Sequence, residues 1–191
     1  MQLLREKILT QGKTLPGNIL KVDSFLNHQI DIDLLNEIGK EFRTRFQGKN
    51  VSKILTIEAS GIAVAVIAAQ YFNVPVVFAK KTVGKNMDKA VYIGSVYSYT
   101  KAQQYNILVS KEAISQEDNI LIVDDFLANG QAILGLKEII DAAGANLVGA
   151  GIVIEKGFQK GGRRLRDSGI NIQSLAIIDS LEENKIVFRN E

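Results

Sequence analysis

Short apolar runs alternate with segments of helical spacing along the 191 residues of the chain. The apolar runs are rich in β-branched residues and predict strands at 53–57, 74–79, 120–123, 147–154 and 172–178. Helical spacing predicts helices around Leu35, Ile38, Phe42 and Phe46, over 62–72, and over 131–143. Strands that alternate with helices predict an α/β fold, with a parallel sheet flanked by helices on both faces.

Residues 82–110 interrupt this alternation. Apolar residues recur at every second position in Val91 and Ile93, and again in Ile107 and Val109. This period predicts an antiparallel hairpin inserted into the parallel fold. The polar tip fits either a solvent-exposed hairpin or a mobile lid over a binding site, and the family resemblance given below implies that residues 82–110 are a mobile lid.

Composition narrows the class of protein. The chain contains only two prolines and no linker-like stretch, so we expect one domain over 1–191. The net charge of +2 and the absence of a basic stripe argue against a nucleic-acid or membrane partner, and we expect Arg163, Arg164 and Arg166 to form a solvated helix face. A chain without cysteine cannot form disulfides or a thiolate zinc site, which fits the cytoplasm.

The run ILIVDDFLANGQA, at 120–132, carries the clearest candidate chemistry. It predicts a buried strand followed by two acids, Asp124 and Asp125, at the carboxyl end where α/β sheets bind ligands. Such acids can meet ribose hydroxyls or Mg²⁺. The turn at Asn129 and Gly130 then opens a helix whose first backbone N–H groups can bind a phosphate.

A second turn, Glu58-Ala59-Ser60-Gly61, repeats this geometry after the strand at 53–57. Two anion-binding turns at one sheet edge would hold a substrate that carries phosphate at both ends. Many strand-to-helix turns bind no anion, so this turn alone is weak evidence. Lys80 and Lys81, just past the next strand, could add positive charge or could be ordinary surface lysines.

The run at 120–132 resembles the phosphoribosyl-pyrophosphate (PRPP) motif of type I phosphoribosyltransferases, and the resemblance covers nearly the whole chain. It implies that Asp124 and Asp125 are the catalytic acids. It also implies a Mg²⁺ ion bound mainly through PRPP rather than by protein ligands, and a homodimer. The loop departs from the usual Ala-Thr-Gly-Gly-Thr and lacks two hydroxyl donors. The residues that the resemblance assigns to PRPP are Ala128, Asn129, Gly130, Gln131, Ala132, Glu58, Ala59, Ser60, Gly61 and Lys81.

The base site is predicted from Lys156, placed just beyond the strand at 147–154. A lysine can only donate, so it favours a 6-oxopurine over adenine, and Phe158 could stack on the base. The segment from Leu20 to Asn27, together with Lys156, resembles the bacterial xanthine phosphoribosyltransferases. This implies that Leu20 and Asn27 contact xanthine and that residues 1–30 form a small N-terminal hood over it. An Asn amide can either donate or accept, so xanthine and guanine stay open on residue identity alone.

The resemblance, together with these features, implies a cytoplasmic enzyme of purine salvage that makes xanthosine 5′-monophosphate and pyrophosphate from xanthine and PRPP. Guanine, hypoxanthine and adenine are alternative acceptors. A PRPP-sensing transcriptional regulator with the same fold is the alternative outside enzymes. Neither a helix-turn-helix segment ahead of Ile32 nor a concentrated positive stripe is present in the sequence to support it.

Overall fold

The computed structural model describes residues 1–82, 90–98, 102–182 and 185–190. The helices are α1 (Gln2–Gln11), α2 (Ile32–Arg45), α3 (Ser60–Phe72), α4 (Gln131–Ala143) and α5 (Gly161–Asp167). The strands are β1 (Lys13–Leu15), β2 (Ile19–Lys21), β3 (Lys53–Ile57), β4 (Val76–Ala79), β5 (Val91–Ser98), β6 (Gln103–Ser110), β7 (Asn119–Leu127), β8 (Asn146–Lys156), β9 (Ile172–Glu182) and β10 (Lys185–Phe188).

A six-stranded sheet in the order β10-β9-β8-β7-β3-β4 forms the centre of the molecule. The pairs from β4 through β9 are parallel, and β10 is antiparallel to β9. The strand order reverses at β3, because β4 lies on one side of it and β7 on the other. In α/β sheets a crevice opens at the carboxyl ends of the strands that flank such a reversal. The crevice therefore lies between the ends of β3 and β7.

Both faces of the sheet are covered by apolar side chains. From β7, Leu121 and Val123 join the core that includes α2 and α3, whereas Ile120 and Ile122 join the core that includes α4. The alternation explains the uninterrupted apolar run in the sequence, since each successive side chain enters a different core. The predicted parallel sheet with helices on both faces is confirmed.

The element bounds agree with the sequence predictions at β3 and α4, but the strands β7, β8 and β9 run further than predicted. Strand β7 was expected to end at Val123 and instead continues to Leu127, so Asp124 and Asp125 lie inside it. The pairing with β8 continues as far as Leu127 opposite Glu155, and this ladder keeps the two acids extended. Lys156 is likewise the last residue of β8, paired with Ile178, rather than a residue beyond the strand.

Strands β5 and β6 form the predicted antiparallel hairpin, paired from Val91 opposite Ser110 to Ser98 opposite Gln103. The hairpin packs against α4, and Lys80 links β4 to it through two backbone hydrogen bonds with Leu108, both 2.9 Å. Residues 84–86 and 99–101 of the predicted lid lie outside the described residues. The motion of the lid stays a prediction.

The N-terminal residues form the hairpin β1–β2 and a short π-helical turn, Asp23–Asn27, between α1 and α2. At the other end of the chain, Arg163 and Arg164 of α5 are exposed as expected. The same expectation is wrong for Arg166, which forms an ion pair with the buried Glu155. No helix in the described ranges is long and apolar enough to span a membrane.

Candidate functional site

The acid pair lies deep in the crevice. Asp124 and Asp125 are each only 7% exposed, and the Asp125 N–H donates to Asp124 Oδ1 over 3.1 Å. Burial and then the neighbouring Asp125 charge raise the pKa of Asp124 well above its usual value, while the Lys81 charge opposes the shift. A buried carboxylate of this kind is stabilised by any hydroxyl donor or cation that enters the crevice.

The loop at 128–132 lies directly after β7. Gly130 has a φ of 82°, a left-handed conformation that glycine adopts without strain, and this conformation turns the chain into α4. Gly130 has no side chain to cap the helix, so the N–H groups of the first turn are available to a ligand. The loop lines a pocket of about 210 Å³ together with Val96, Tyr97 and Tyr105 of the hairpin. Its backbone amides and the positive end of the helix dipole suit a phosphate group.

The turn at Glu58-Ala59-Ser60-Gly61 touches the acid pair. A Cβ atom on Gly61 would lie 2.8 Å from Asp124 Oδ1 and would collide with the Thr56 hydroxyl. Only glycine therefore allows α3 to begin this close to β7. The peptide bond between Glu58 and Ala59 is cis. The structure thus brings the turn and the acids together across the strand-order reversal, as the sequence predicted.

Lys81 lies beside this turn. Its backbone N–H donates to Glu58 Oε1 over 2.5 Å, and its Nζ lies 5.8 Å from the centroid of the Tyr105 ring. Lys81 is also among the charges that act on Asp124. Lys80 instead places its Nζ 5.9 Å from the Phe78 ring. Of the two lysines, Lys81 is the one that the structure groups with the acid pair.

Lys156, which the sequence assigns to the base site, is the last residue of β8, the strand that pairs with β7. It is half-buried, which lowers its pKa, and its Nζ donates to the Asn18 carbonyl over 3.1 Å. Asn18 lies between β1 and β2 with a φ of 59°, so the N-terminal hairpin reaches the end of β8. Leu20 is buried in the core that includes α2 and α3, Asn27 is exposed, and Phe158 is partly buried. Contacts of these three residues with a base stay predictions.

Two residues that the sequence analysis missed also border the site. Tyr105 is partly buried and lies beside both Lys81 and the loop at 128–132. Burial raises its pKa, and the charge of Asp124 adds a smaller rise. In β6, Tyr105 lies two residues before Ile107 and four before Val109, so the two-residue period of a strand puts all three on the same face. The sequence alone could therefore have predicted that Tyr105 faces inward. The Thr56 hydroxyl is fully buried and has no hydrogen-bond partner among the described residues. Thr56 was missed because it lies within an apolar run that predicts only a buried strand.

The sequence of the chain is similar to those of known proteins. A family model described as a phosphoribosyl transferase domain matches residues 21–184. A xanthine phosphoribosyltransferase from Alkaliphilus metalliredigens is 64% identical over 191 residues, covering 100% of this chain and 95% of the relative. One from Clostridioides difficile is 60% identical over 190 residues, covering 99% of this chain and 100% of the relative.

Solved structures with a similar fold include two adenine phosphoribosyltransferases. The enzyme from Leishmania tarentolae superposes with a TM-score of 0.77 at 19% identity, covering 95% of this chain and 90% of that chain. The enzyme from Giardia lamblia, complexed with 9-deazaadenine, gives a TM-score of 0.76 at 21% identity, covering 91% of this chain and 96% of that chain. At this level of identity the likeness establishes the fold.

Proposed function

The chain belongs to the phosphoribosyltransferase family, and on this basis we propose that it transfers the 5-phosphoribosyl group of PRPP to xanthine, giving xanthosine 5′-monophosphate and pyrophosphate. This reaction is a step of purine salvage and makes the protein a pentosyltransferase. The relatives named as xanthine phosphoribosyltransferases cover the chain almost end to end at 60–64% identity.

The contact between Gly61 and Asp124 is the main structural observation that supports PRPP as the donor. It places the turn at 58–61 beside the acid pair, and the loop at 128–132, which we name the phosphate loop, comes directly after the strand that contains the acids. PRPP has a phosphate at one end, a ribose in the middle and a pyrophosphate at the other end. The order of phosphate loop, acid pair and turn along the crevice matches these three parts.

The chemistry requires positioning and charge rather than a nucleophilic side chain. The bond from ribose C1 to the pyrophosphate oxygen breaks, a purine nitrogen forms a bond to C1, and the proton of that nitrogen leaves. Asp124 and Asp125 hold the ribose hydroxyls and lie close to the positive charge that develops on the ribose. Lys81, beside the turn at 58–61, stabilises the negative charge on the departing pyrophosphate.

A magnesium ion carried by PRPP fits the donors of this site. The described residues include no group of three or more acidic, histidine or cysteine side chains that could hold a metal alone. Mg²⁺ commonly keeps several waters and binds substrate phosphates with the help of one or two carboxylates. Asp124 and Asp125 are such a pair, and bound Mg²⁺ would supply positive charge for the leaving pyrophosphate.

Lys156 supports a 6-oxopurine as acceptor. One of its ammonium protons is already donated to the Asn18 carbonyl, and the remaining two are free to meet an acceptor such as the oxygen at position six. Adenine presents an amino group there, which cannot accept. We propose that Leu20 and Asn27 of the hood and Phe158 after β8 complete the xanthine site.

The reaction is tested by mixing the purified protein with PRPP, Mg²⁺ and one of xanthine, guanine, hypoxanthine or adenine, and separating the nucleotides by chromatography. We expect xanthosine 5′-monophosphate and an equal amount of pyrophosphate from xanthine. Omission of Mg²⁺ by chelation should stop the reaction. Nucleotide from another base but not from xanthine would contradict the acceptor, and no nucleotide from any base would contradict the reaction.

We propose a homodimer in which a second copy of the chain covers the outer edge of the sheet at β4. Val66 of α3 and Phe78 of β4 are 44% and 40% exposed. Two cavities of about 390 and 250 Å³ flank the edge strand and share Val76, and their lining contains both apolar and polar residues. An exposed apolar edge strand of this kind is typically covered in the assembled protein.

Analytical ultracentrifugation tests the dimer. The wild-type chain should sediment at twice the mass of its 21.0 kDa monomer, and Phe78→Glu should sediment as a monomer. Leu9→Glu, at an apolar residue of α1 that is 58% exposed, is the matched control and should stay dimeric. A monomeric wild-type protein, or a Phe78→Glu variant that stays dimeric, would contradict this interface.

We also propose that the protein acts in the cytoplasm. PRPP is a highly charged metabolite that membranes retain, and a chain without cysteine needs no oxidising compartment. Immunoblots of fractionated cells should find it with cytoplasmic marker enzymes.

A further inference from the structure

Helix α5 begins with two adjacent glycines that make close contacts in two directions. A Cβ atom on Gly161 would lie 2.5 Å from the carbonyl carbon of Asn129 and 2.6 Å from the backbone nitrogen of Gly130, and would collide with the Ala128 carbonyl oxygen. These atoms are the backbone of the phosphate loop, which cannot rotate aside as a flexible side chain could. The start of α5 therefore lies directly against the loop, where only glycine fits.

A second contact joins the same helix to the loop. A Cβ atom on Gly130 would lie 3.1 Å from Leu165 Cδ1, so the left-handed residue at the start of α4 rests on the buried side chain of α5. The loop itself contains no Ser or Thr side chain between Ala128 and Ala132. The loop offers a phosphate its backbone amides and the side-chain amides of Asn129 and Gln131, and the direction of the backbone amides depends on what packs behind them.

The position of α5 is fixed by an ion pair with the sheet. Arg166 donates from NH1 and NH2 to the two carboxylate oxygens of Glu155, over 2.8 and 2.6 Å, and the Ser174 hydroxyl also donates to Glu155. Burial acts to raise the pKa of Glu155, but the Arg166 and Ser174 hydrogen bonds outweigh it and keep the pKa below the usual value. Gly162 leaves the space that the Glu155 carboxylate occupies.

We propose that α5 is the support that holds the phosphate loop in its PRPP-binding shape, and that Glu155, Arg166 and Gly161 are positioning residues for PRPP. The chain of contacts runs from Glu155 in β8 through Arg166 to α5, and from Gly161 and Leu165 to the loop. These residues act on PRPP through the loop and do not touch it. The inference rests on the proposed function, because it assigns the loop to the phosphate of PRPP.

Arg166→Met and Gly161→Ala test the support from its two ends. Arg166→Met removes the bidentate pair while keeping a long side chain, and Gly161→Ala presses on the loop while leaving the pair intact. Each variant should raise KM for PRPP at least tenfold and change KM for xanthine less than twofold. Arg166→Lys keeps the charge but cannot form the bidentate pair, so its KM for PRPP should fall between wild type and Arg166→Met. Arg163→Met is the control, because the Arg163 side chain is 88% exposed on the same helix.

PRPP binding measured by calorimetry, with circular dichroism as a check of folding, separates the possible failures. The proposal is supported if wild type and Arg163→Met bind PRPP normally while folded Gly161→Ala binds it more weakly. This result does not depend on whether xanthine reacts. If Arg166→Met does not fold, the PRPP affinities of Gly161→Ala and Arg166→Lys test the proposal instead. Wild-type PRPP affinity in Gly161→Ala and Arg166→Lys, or an equal rise in KM for both substrates, would overturn the proposal. A wild-type protein that binds PRPP but forms no nucleotide would contradict the proposed reaction alone, and one that does not bind PRPP would contradict both.

Discussion

Gly94 of the hairpin and Gly135 of helix α4 meet backbone to backbone. A Cβ atom on Gly94 would lie 2.9 Å from the carbonyl carbon of Gly135, and one on Gly135 would lie 2.7 Å from Val96 Cγ2. Next to this contact, the Ser95 N–H donates to the Glu138 carboxylate over 2.8 Å. The hairpin is therefore docked on α4, and its residues Val96, Tyr97 and Tyr105 line the pocket together with the loop at 128–132.

Gly135→Ala should displace the hairpin from α4 and raise KM for PRPP several-fold. Overpacking at such a contact costs about 1–3 kcal/mol, which exceeds the helix propensity that alanine adds. Ala142→Gly, at an exposed position of the same helix, is the control for a loss of stability of about 1 kcal/mol without a new contact. Steady-state kinetics together with thermal unfolding should show a rise in KM only for Gly135→Ala. An unchanged KM would mean that the docking does not shape the pocket.

Asp124→Asn should be inactive and yet more stable than wild type at neutral pH. The pKa of Asp124 is higher in the folded than in the unfolded chain, where it is about 3.9. The unfolding free energy of wild type therefore falls as pH rises through the interval between these two values, and the loss is complete above the folded-state pKa. Asparagine does not titrate and keeps the acceptor for the Asp125 N–H.

Thermal unfolding as a function of pH measures this effect. For a chain of this size each kcal/mol changes Tm by about 2–4 °C, so a modest stabilisation is measurable, and Asp124→Asn should melt at a higher temperature than wild type at pH 7.5. The advantage should shrink below about pH 4, where the unfolded carboxyl is also protonated. The rate of nucleotide formation should fall by about 10²–10³-fold, as for other electrostatic groups of active sites. Equal melting at every pH would contradict the raised pKa.

Tyr105→Leu should weaken PRPP through the loss of the ring beside Lys81. A cation near an aromatic face contributes about 0.5–2 kcal/mol, so KM for PRPP should rise about twofold to thirtyfold, with little change in KM for xanthine. The same hairpin offers a matched control in Tyr92→Leu, because Lys111 Nζ lies 5.3 Å from the Tyr92 ring. That variant loses an equivalent contact away from the pocket. If both variants changed KM alike, hairpin stability rather than the Lys81 contact would be responsible.

Lys156→Met should reduce kcat/KM for xanthine while KM for PRPP stays near the wild-type value. A hydrogen bond to a charged group contributes about 1.5–3 kcal/mol, which corresponds to a loss of about ten- to a hundredfold. Lys160→Met, at an exposed lysine four residues later, should behave as wild type. Initial-rate kinetics with each substrate varied in turn give both constants. A variant with unchanged kcat/KM for xanthine would remove Lys156 from the base site.

The parts of the site that are contiguous in the chain were predictable from the sequence. Strand, acids, loop and helix start follow one another in residues 120–132, and the chemistry of each follows from its residue types. The end of β7 was not predictable, because the polar acids resemble a strand terminus. Pairing with the long neighbouring strand β8 keeps them extended, and a partner in space is not visible in a local pattern.

The position of Tyr105 beside Lys81 and Asp124 was not predicted from the sequence, because the three residues come from separate segments that tertiary packing brings together. Arg166 was misjudged for a related reason. It follows two exposed arginines in a basic run, and only the packing of α5 on β8 shows that its partner is a buried carboxylate. Glycine contacts such as Gly61 with Asp124 depend on how closely the start of α3 approaches side chains of the sheet, which residue identity does not encode.

Competition between purines for a limiting amount of PRPP tests the central claim most directly. The purified protein is given equal concentrations of xanthine, guanine, hypoxanthine and adenine with Mg²⁺, and the nucleotides are quantified by chromatography when PRPP is exhausted. We predict that xanthosine 5′-monophosphate is the main product, and that adenosine 5′-monophosphate is the least abundant. A main product of guanosine, inosine or adenosine 5′-monophosphate, or the absence of any nucleotide, would contradict the assignment.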